Sequence, residues 1–131
     1  MLIDIMFRNF RILAVVPATD IDRARAWYEE KLGLVPIEEP IGRLYYEAPD
    51  GSCLLIVPTA FPGAQSTAAG WDVTDIDAVI AELRARGVEF IDYDLPGYKT
   101  TNGVMVDGGY KMAWFRDSEG NTLGINEYIG D

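Results

Sequence analysis

The tetrapeptide Thr-Asp-Ile-Asp occurs twice in this chain, beginning at Thr19 and again at Thr74, 55 positions later. Each copy opens a stretch in which apolar residues recur every three or four positions, which is the spacing of an amphipathic helix. Threonine and aspartate are favoured N-cap residues, and Gly33 and Gly87 follow where a left-handed C-cap is needed. The two copies therefore predict two helices that begin and end in the same way.

The segments around the two helices also correspond. Apolar runs flank each helix, at residues 12–16 and 34–38 in the first copy and at residues 67–73 and 88–92 in the second. The stretches APDGSCLLIV and DSEGNTLGIN each read as a glycine turn followed by a strand. Tyr45-Tyr46 and Trp114-Phe115 hold equivalent places before those turns.

Chance recurrence of a common capping tetrapeptide would explain four identical letters. It would not explain a helix, a glycine cap, an aromatic pair and a turn in the same order. We therefore predict that residues 1–131 form one domain, with a first βαβββ module at 11–60 and a second at 66–127.

The second copy carries 15 extra residues, which lie within residues 93–110. The dipeptides Pro96-Gly97, Asn102-Gly103 and Gly108-Gly109 are turn signals, so we predict a loop plus a hairpin. Long insertions in compact domains often have a function. Our hypothesis is that this insertion partly covers a binding pocket.

The composition excludes several classes of function. The chain has no histidine, which rules out a Ser-His-Asp triad, a Cys-His pair and any His-ligated metal site. Its net charge of -10 would repel nucleic acid and anionic membranes, and it favours a neutral or cationic small molecule as the partner. The acidity could also serve solubility alone.

Cysteine usage and hydropathy bear on localisation. Cys53 is the single cysteine, so no internal disulfide can form, which is typical of a reducing compartment. No stretch reaches the roughly 18 apolar residues that a membrane span needs, and the apolar run near the N-terminus reads as a buried strand. We therefore expect a cytoplasmic protein.

Three stretches carry a family resemblance: TDIDRARAWYEEKLGL, VTDIDAVIAELRARGVEF and WFRDSEGNTLGI. Over residues 11–127 the chain resembles the vicinal oxygen chelate superfamily, which includes glyoxalase I, extradiol dioxygenases and bleomycin-resistance proteins. The resemblance implies an α+β fold in which two βαβββ modules form curved mixed sheets around a cleft. It also implies a homodimer, to which the first ten residues could add an edge strand.

In the metal-using members of that family, four ligands line the cleft, from the first and last strands of each module. Transferred to this chain, the four ligand positions fall on Leu13, Leu55, Ala68 and Gly124. None of these residues has a side chain that can coordinate a cation. Asp72 is the one carboxylate that strand alternation places beside them. We therefore predict neither a metal nor another cofactor.

Strand alternation and the supply of aromatic residues suggest which side chains contact a ligand. The candidate ligand-binding residues are Arg11, Cys53, Trp71, Asp72, Tyr98, Trp114, Thr122 and Asn126. Asp72 is also the candidate catalytic residue. Structural roles stay open for all of them, such as core packing for the aromatic residues and a solvated charge for Arg11.

Three functions remain open at this stage. The leading hypothesis is a metal-independent protein, similar to the bleomycin-resistance branch, that binds a cationic or aromatic small molecule in the cleft between the modules. The alternative is a metal-independent enzyme of the lyase or isomerase type, with Asp72 or a tyrosine as the acid or base. A third is a structural or regulatory module whose cleft is vestigial.

Overall fold

The architecture was obtained as a computed structural model, which describes residues 6–38, 42–61, 63–64 and 66–130. After a single 3-10 turn at Phe7–Asn9, the first module follows the order strand, helix and three strands. Its elements are β1 (Leu13–Ala18), α1 (Ile21–Leu32), β2 (Ile37–Glu38), β3 (Leu44–Glu47) and β4 (Cys53–Pro58). The predicted N-terminal edge strand lies partly outside the described residues, and the 3-10 turn takes the place of its last part.

The second module repeats this order and contains the insertion. Its elements are β5 (Thr67–Asp72), α2 (Ile76–Ala85), β6 (Asp94–Leu95), β7 (Tyr98–Lys99), β8 (Val104–Asp107), β9 (Tyr110–Arg116) and β10 (Thr122–Tyr128). Along the described part of the chain, no helix is long and apolar enough to cross a membrane.

Both helices begin and end at the residues that the repeat predicts. Asp20 caps α1 by accepting a hydrogen bond from the amide of Arg23, and Asp75 caps α2 in the same way through Ala78. Gly33 and Gly87 follow the two helices with φ of 70° and 87°, a conformation that glycine adopts without steric cost.

The two sheets have the same topology. The first has the strand order β1-β4-β3-β2, and the second has the order β5-β10-β9-β8. In each sheet the first strand runs parallel to the last strand of its module, and the other pairs are antiparallel. The first strands, β1 and β5, lie side by side where the modules meet. This architecture confirms the predicted α+β fold class.

The helices and the sheet faces next to them share a single hydrophobic core. Its largest fully buried apolar side chains are Tyr28, Leu44, Ile56, Ile76, Leu123, Val16 and Phe115. The C-terminal ends of the helices are joined by a reciprocal contact. Lys31 donates to the carbonyl of Arg86 at 2.7 Å, and Arg86 donates to the carbonyl of Lys31 at 3.3 Å. Each helix thus places a cation at the negative end of the other helix dipole.

A loop of the second module fastens it to the first. Residues 117–121 form a buried polar turn in which Asp117 accepts hydrogen bonds from its own loop and from the hydroxyl of Tyr28, the latter at 2.6 Å. Asn121 donates to the carbonyl of Pro17 at 2.9 Å. Glu119 accepts from the amide of Asp20 at 3.0 Å and from Nε of Arg23 at 2.7 Å, so it holds the start of α1.

The insertion forms two hairpins. The first pairs β6 with β7 across Pro96-Gly97, and the second pairs β8 with β9 across Gly108-Gly109. The predicted hairpin is therefore present, and the part predicted as a loop contains a second, short hairpin. The strand predicted at residues 88–92 is reduced to one bridge, between Phe90 and Phe115. The reason is that β8 pairs with residues 110–113 of β9. Only residues 114–116 of that edge remain for the segment at residues 88–92.

Candidate functional site

Burial along the strands shows which side chains point away from the core. On β1, Val16 and Ala18 are buried, whereas Leu13 and Val15 are 40% and 53% exposed on the opposite face. On the second sheet, the corresponding face carries Gly70 on β5 and Gly124 on β10. Every second residue along each of these strands lies on the same face. We refer to the faces turned away from the helices, which include these residues, as the open sheet faces.

The four positions at which the family would place metal ligands do not fit a cation. Leu13, Leu55, Ala68 and Gly124 offer no side-chain donor atom, although divalent ions need several oxygen, nitrogen or sulfur ligands. Within the described ranges, no group of three or more His, Cys, Asp or Glu residues could hold a metal ion. The residues present therefore do not fit the metal site of the metal-using members.

Asp72 and Asn126 form a polar pair at the end of the parallel ladder between β5 and β10. The two residues lie opposite each other in the register, and the amide of Asn126 donates to a carboxylate oxygen of Asp72. Asp72 is exposed, so this carboxylate can reach a molecule that lies on the open face. Alternation along the strands had predicted that these two residues share a face, and the structure brings them together.

Two glycines lie beside this pair, of which Gly70 is exposed and Gly124 is buried. Gly70 lies opposite Gly124, which in turn lies opposite Trp114 on β9. A Cβ at Gly124 would lie 3.3 Å from the Trp114 indole, and a Cβ at Gly70 would lie 2.8 Å from the Gly124 carbonyl oxygen. Glycine in a strand often marks a place where another group approaches the backbone closely. Here one such group is the Trp114 ring itself.

The insertion packs its aromatic residues against Trp114. Tyr93 and Tyr98 each lie with ring centroids 5.5 Å from that of Trp114, and 6.0 Å from each other. Trp114 is only 7% exposed, whereas Tyr98 is 49% exposed. Of these rings, Tyr98 is therefore the most accessible to a molecule in solution.

Arg11 and Cys53 belong to a second polar cluster, on the first sheet. Arg11 donates to the hydroxyl of Tyr45 and, at 3.3 Å, to the carboxylate of Glu47. The sulfur of Cys53 lies 3.0 Å from the Tyr45 hydroxyl oxygen. This contact with the thiol is the largest cause that raises the pKa of Tyr45 above its ordinary value. Tyr45 is therefore a weaker acid than a free tyrosine, and Arg11 already has an anionic partner.

Two predicted residues lie away from the accessible part of the open faces. Trp71 is half-buried and packs against the core on the helix side of β5. Thr122 is fully buried, and its hydroxyl donates to the carbonyl of Ala64 at 3.4 Å. Ala64 thus lies against Thr122, which strand alternation alone could not indicate.

Four residues of these clusters were not among the candidate residues: Tyr45, Glu47, Tyr93 and Gly70. The position of Tyr45 opposite Leu55 in the ladder would have placed it on the open face, but the register is needed to see this. No local signal identifies Tyr93, because its contact with Trp114 depends on how the insertion folds back.

Comparison with known proteins identifies the fold family. The structure resembles TnmS3, an antibiotic-binding protein from Streptomyces sp. CB03234, with a TM-score of 0.69 at 24% identity over 91% of this chain and 95% of that one. It also resembles a glyoxalase/bleomycin resistance protein/dioxygenase from Alicyclobacillus acidocaldarius, with a TM-score of 0.69 at 20% identity over 94% of each chain.

A third similar structure is a glyoxalase/bleomycin resistance protein from Catenulispora acidiphila DSM 44928. Its TM-score is 0.65 at 25% identity, over 89% of this chain and 96% of that one. No curated protein matches the chain. The family model of the Glyoxalase/Bleomycin resistance protein/Dioxygenase superfamily matches residues 11–125, which is most of the sequence. The chain therefore belongs to the glyoxalase/bleomycin resistance protein/dioxygenase superfamily.

Proposed function

We propose that this protein binds a flat cationic or aromatic small molecule on the open sheet faces, without a metal ion. One observation carries the proposal. On the second sheet, the exposed backbone at Gly70 lies in the same row as the Trp114 ring, which covers Gly124, and two residues along β5 from the exposed carboxylate of Asp72. Because Gly70 has no side chain, a flat ring can approach the backbone closely there.

The aromatic side of this site favours a planar ligand. Tyr98 presents a half-exposed ring next to Trp114, and both belong to a cluster that is already packed and ordered. Rings that are fixed before binding lose little entropy when they stack on a ligand. The insertion would thus act as one wall of the site, which agrees with the hypothesis that it partly covers a pocket.

The charge of the site favours a cation over an anion. Asp72 is exposed, and its hydrogen-bond partner Asn126 is neutral, so its negative charge has no counter-ion in that pair. The net charge of -10 adds a field of the same sign. Arg11 would not attract an anion strongly, since Glu47 lies 3.3 Å from it. TnmS3 is a precedent for a protein of this fold that binds an antibiotic.

The residues at the four ligand positions support metal independence, because none of them offers a side-chain ligand. If the proposal is right, ligand affinity in the presence of a strong chelator equals affinity without it. The geometry gives no comparable support for an enzyme of the lyase or isomerase type. Such an enzyme needs a base that can accept a proton near neutral pH, and the raised pKa of Tyr45 makes its phenolate scarce there.

A titration with 9-aminoacridine, a flat aromatic cation, tests the proposal. We expect Asp72→Asn to weaken binding about tenfold, because it removes one partly desolvated charge contact worth about 1.4 kcal/mol. The readout is the dissociation constant from quenching of the ligand's fluorescence, at low and at high salt. The loss should be larger at low salt, where charges are screened less.

Glu89→Gln is the matched control, because it removes the same charge from an exposed position after α2. We expect this variant to bind like the parent protein. Equal weakening by both variants would mean that only the net charge matters and would contradict the site. Conversion of the ligand to a product during long incubation would favour the enzyme instead.

We further propose that the protein is a homodimer. Leu13, Val15, Val106 and Tyr110 are large apolar side chains that are at least 40% exposed in the single chain. Exposed apolar groups of this kind are often covered by a partner. Sedimentation velocity would give the oligomeric state, and a monomer at micromolar concentration would contradict this part of the proposal.

A further inference from the structure

A groove of about 510 Å³ lies on the helix side of the second sheet, away from the open face. Its walls are α2 and the C-terminal end of α1, and its floor consists of Trp71, Phe115 and Ile125. We propose that this groove is a second binding site, specific for an uncharged flat aromatic molecule. Asp72 also borders the groove, but its carboxylate is bonded to Asn126 on the open face, so the two sites are neighbours on opposite faces of the sheet.

The lining of the groove suits an apolar ring. Trp71 is half-buried, so part of its indole remains available for stacking, and Leu83 adds an aliphatic wall. Binding pockets for small molecules typically have volumes of about 300–1,000 Å³ and are mostly apolar. The groove meets both conditions, and it lies between two rigid helices and a sheet.

The rim indicates that the ligand is uncharged. The two cations, Lys31 and Arg86, and the carboxylate Glu82 bind one another or backbone carbonyls, at distances of 2.7 to 3.3 Å. Asp75 is engaged as the N-cap of α2. The Asp72 carboxylate lies on the other face of the sheet with its hydrogen-bond partner, so within the groove an ionic ligand would leave water without gaining a free partner of opposite charge, which is costly. A neutral ring has no such cost.

The test uses N-phenyl-1-naphthylamine, an uncharged aromatic compound whose fluorescence rises in apolar surroundings. Ala78 is exposed and lines the groove, so Ala78→Trp should fill it and weaken binding at least tenfold. Ala81 is exposed on α2 but does not line the groove, and Ala81→Trp should bind like the parent. Should Ala78→Trp fail to fold, Thr74→Trp, at another exposed rim position, should give the same loss.

Two further measurements separate this site from the one on the open face. An excess of 9-aminoacridine should not displace the neutral probe, and the anionic analogue 1-anilinonaphthalene-8-sulfonate should bind at least tenfold more weakly than the neutral probe. The proposal is overturned if the parent does not bind the neutral probe, or if Ala78→Trp binds it as tightly as Ala81→Trp does. Displacement by 9-aminoacridine would also overturn it, because the two ligands would then share one site.

Discussion

Replacement of Asp117 by alanine is expected to lower the free energy of unfolding by about 4 kcal/mol. This carboxylate accepts hydrogen bonds from the Tyr28 hydroxyl, the Asn121 side-chain amide and the backbone amides of Glu119 and Asn121, all at 2.6 to 2.8 Å. The loop is buried, so these donors would lose their partner where water cannot easily replace it. Each unsatisfied buried donor costs about 1–3 kcal/mol, and partial relaxation reduces the sum.

Urea denaturation followed by tryptophan fluorescence measures this loss, with Tyr28→Phe and Asp107→Ala as comparisons. Tyr28→Phe removes one donor and keeps the carboxylate, so we expect a loss of only about 1–2 kcal/mol. Burial and the nearby Asp117 carboxylate raise the pKa of Tyr28, so its hydroxyl remains a donor at all ordinary pH values. Asp107 is exposed on β8, and its replacement should change stability by less than about 0.5 kcal/mol. An Asp117→Ala protein as stable as the Asp107→Ala protein would contradict the role of this loop.

The helices could be predicted from the sequence because their signals are local. The cap residues Asp20 and Asp75 and the glycines that follow the helices act within one turn of backbone, so their effect does not depend on distant partners. The repeat also predicts the same order of elements in the two modules, and the two sheets have the same topology.

The segment 88–92 shows where such prediction fails. Its apolar pattern suits a strand, but a strand forms only along a partner edge. The insertion supplies β8, which occupies the first part of the β9 edge and leaves Phe90 and Ile91 only the part beside Trp114 and Phe115. The competition between these two segments is a property of the assembled sheet and not of either segment alone.

The candidate site was likewise predictable where local signals decide and unpredictable where distant segments meet. Alternation along a strand is a local rule, and it correctly grouped Asp72 with Asn126 on one face. The cluster of Arg11 with Tyr45 and Glu47 joins residues more than 30 positions apart, and the contact of the insertion with Trp114 depends on how that segment folds back. The two copies of the glycine turn also look alike in sequence, yet only the 117–121 loop is buried and fastens the modules together.

Acid should weaken the protein through Glu119. Burial by itself would raise the pKa of this carboxyl, but hydrogen bonds from Arg23, the Asp20 amide and Ser118 outweigh it and lower the pKa from 4.5 to about 2. A carboxylate whose pKa is depressed by folding stabilises the native state above its unfolded pKa. Its contribution is therefore complete above about pH 5 and is lost as the pH falls from 4.5 towards 2.

Glu119→Gln isolates this contribution, because it keeps the shape of the side chain and removes the charge. We expect the variant to be less stable than the parent by on the order of 2 kcal/mol at pH 7, a value reduced for the screening of the half-exposed Arg23. The difference should shrink steadily between pH 5 and pH 3 in urea denaturation. Glu89→Gln, at an exposed position, should match the parent at every pH. A stability gap for Glu119→Gln that stays constant from pH 7 to pH 3 would mean that the Glu119 side chain contributes by packing alone, and not through its charge at the start of α1.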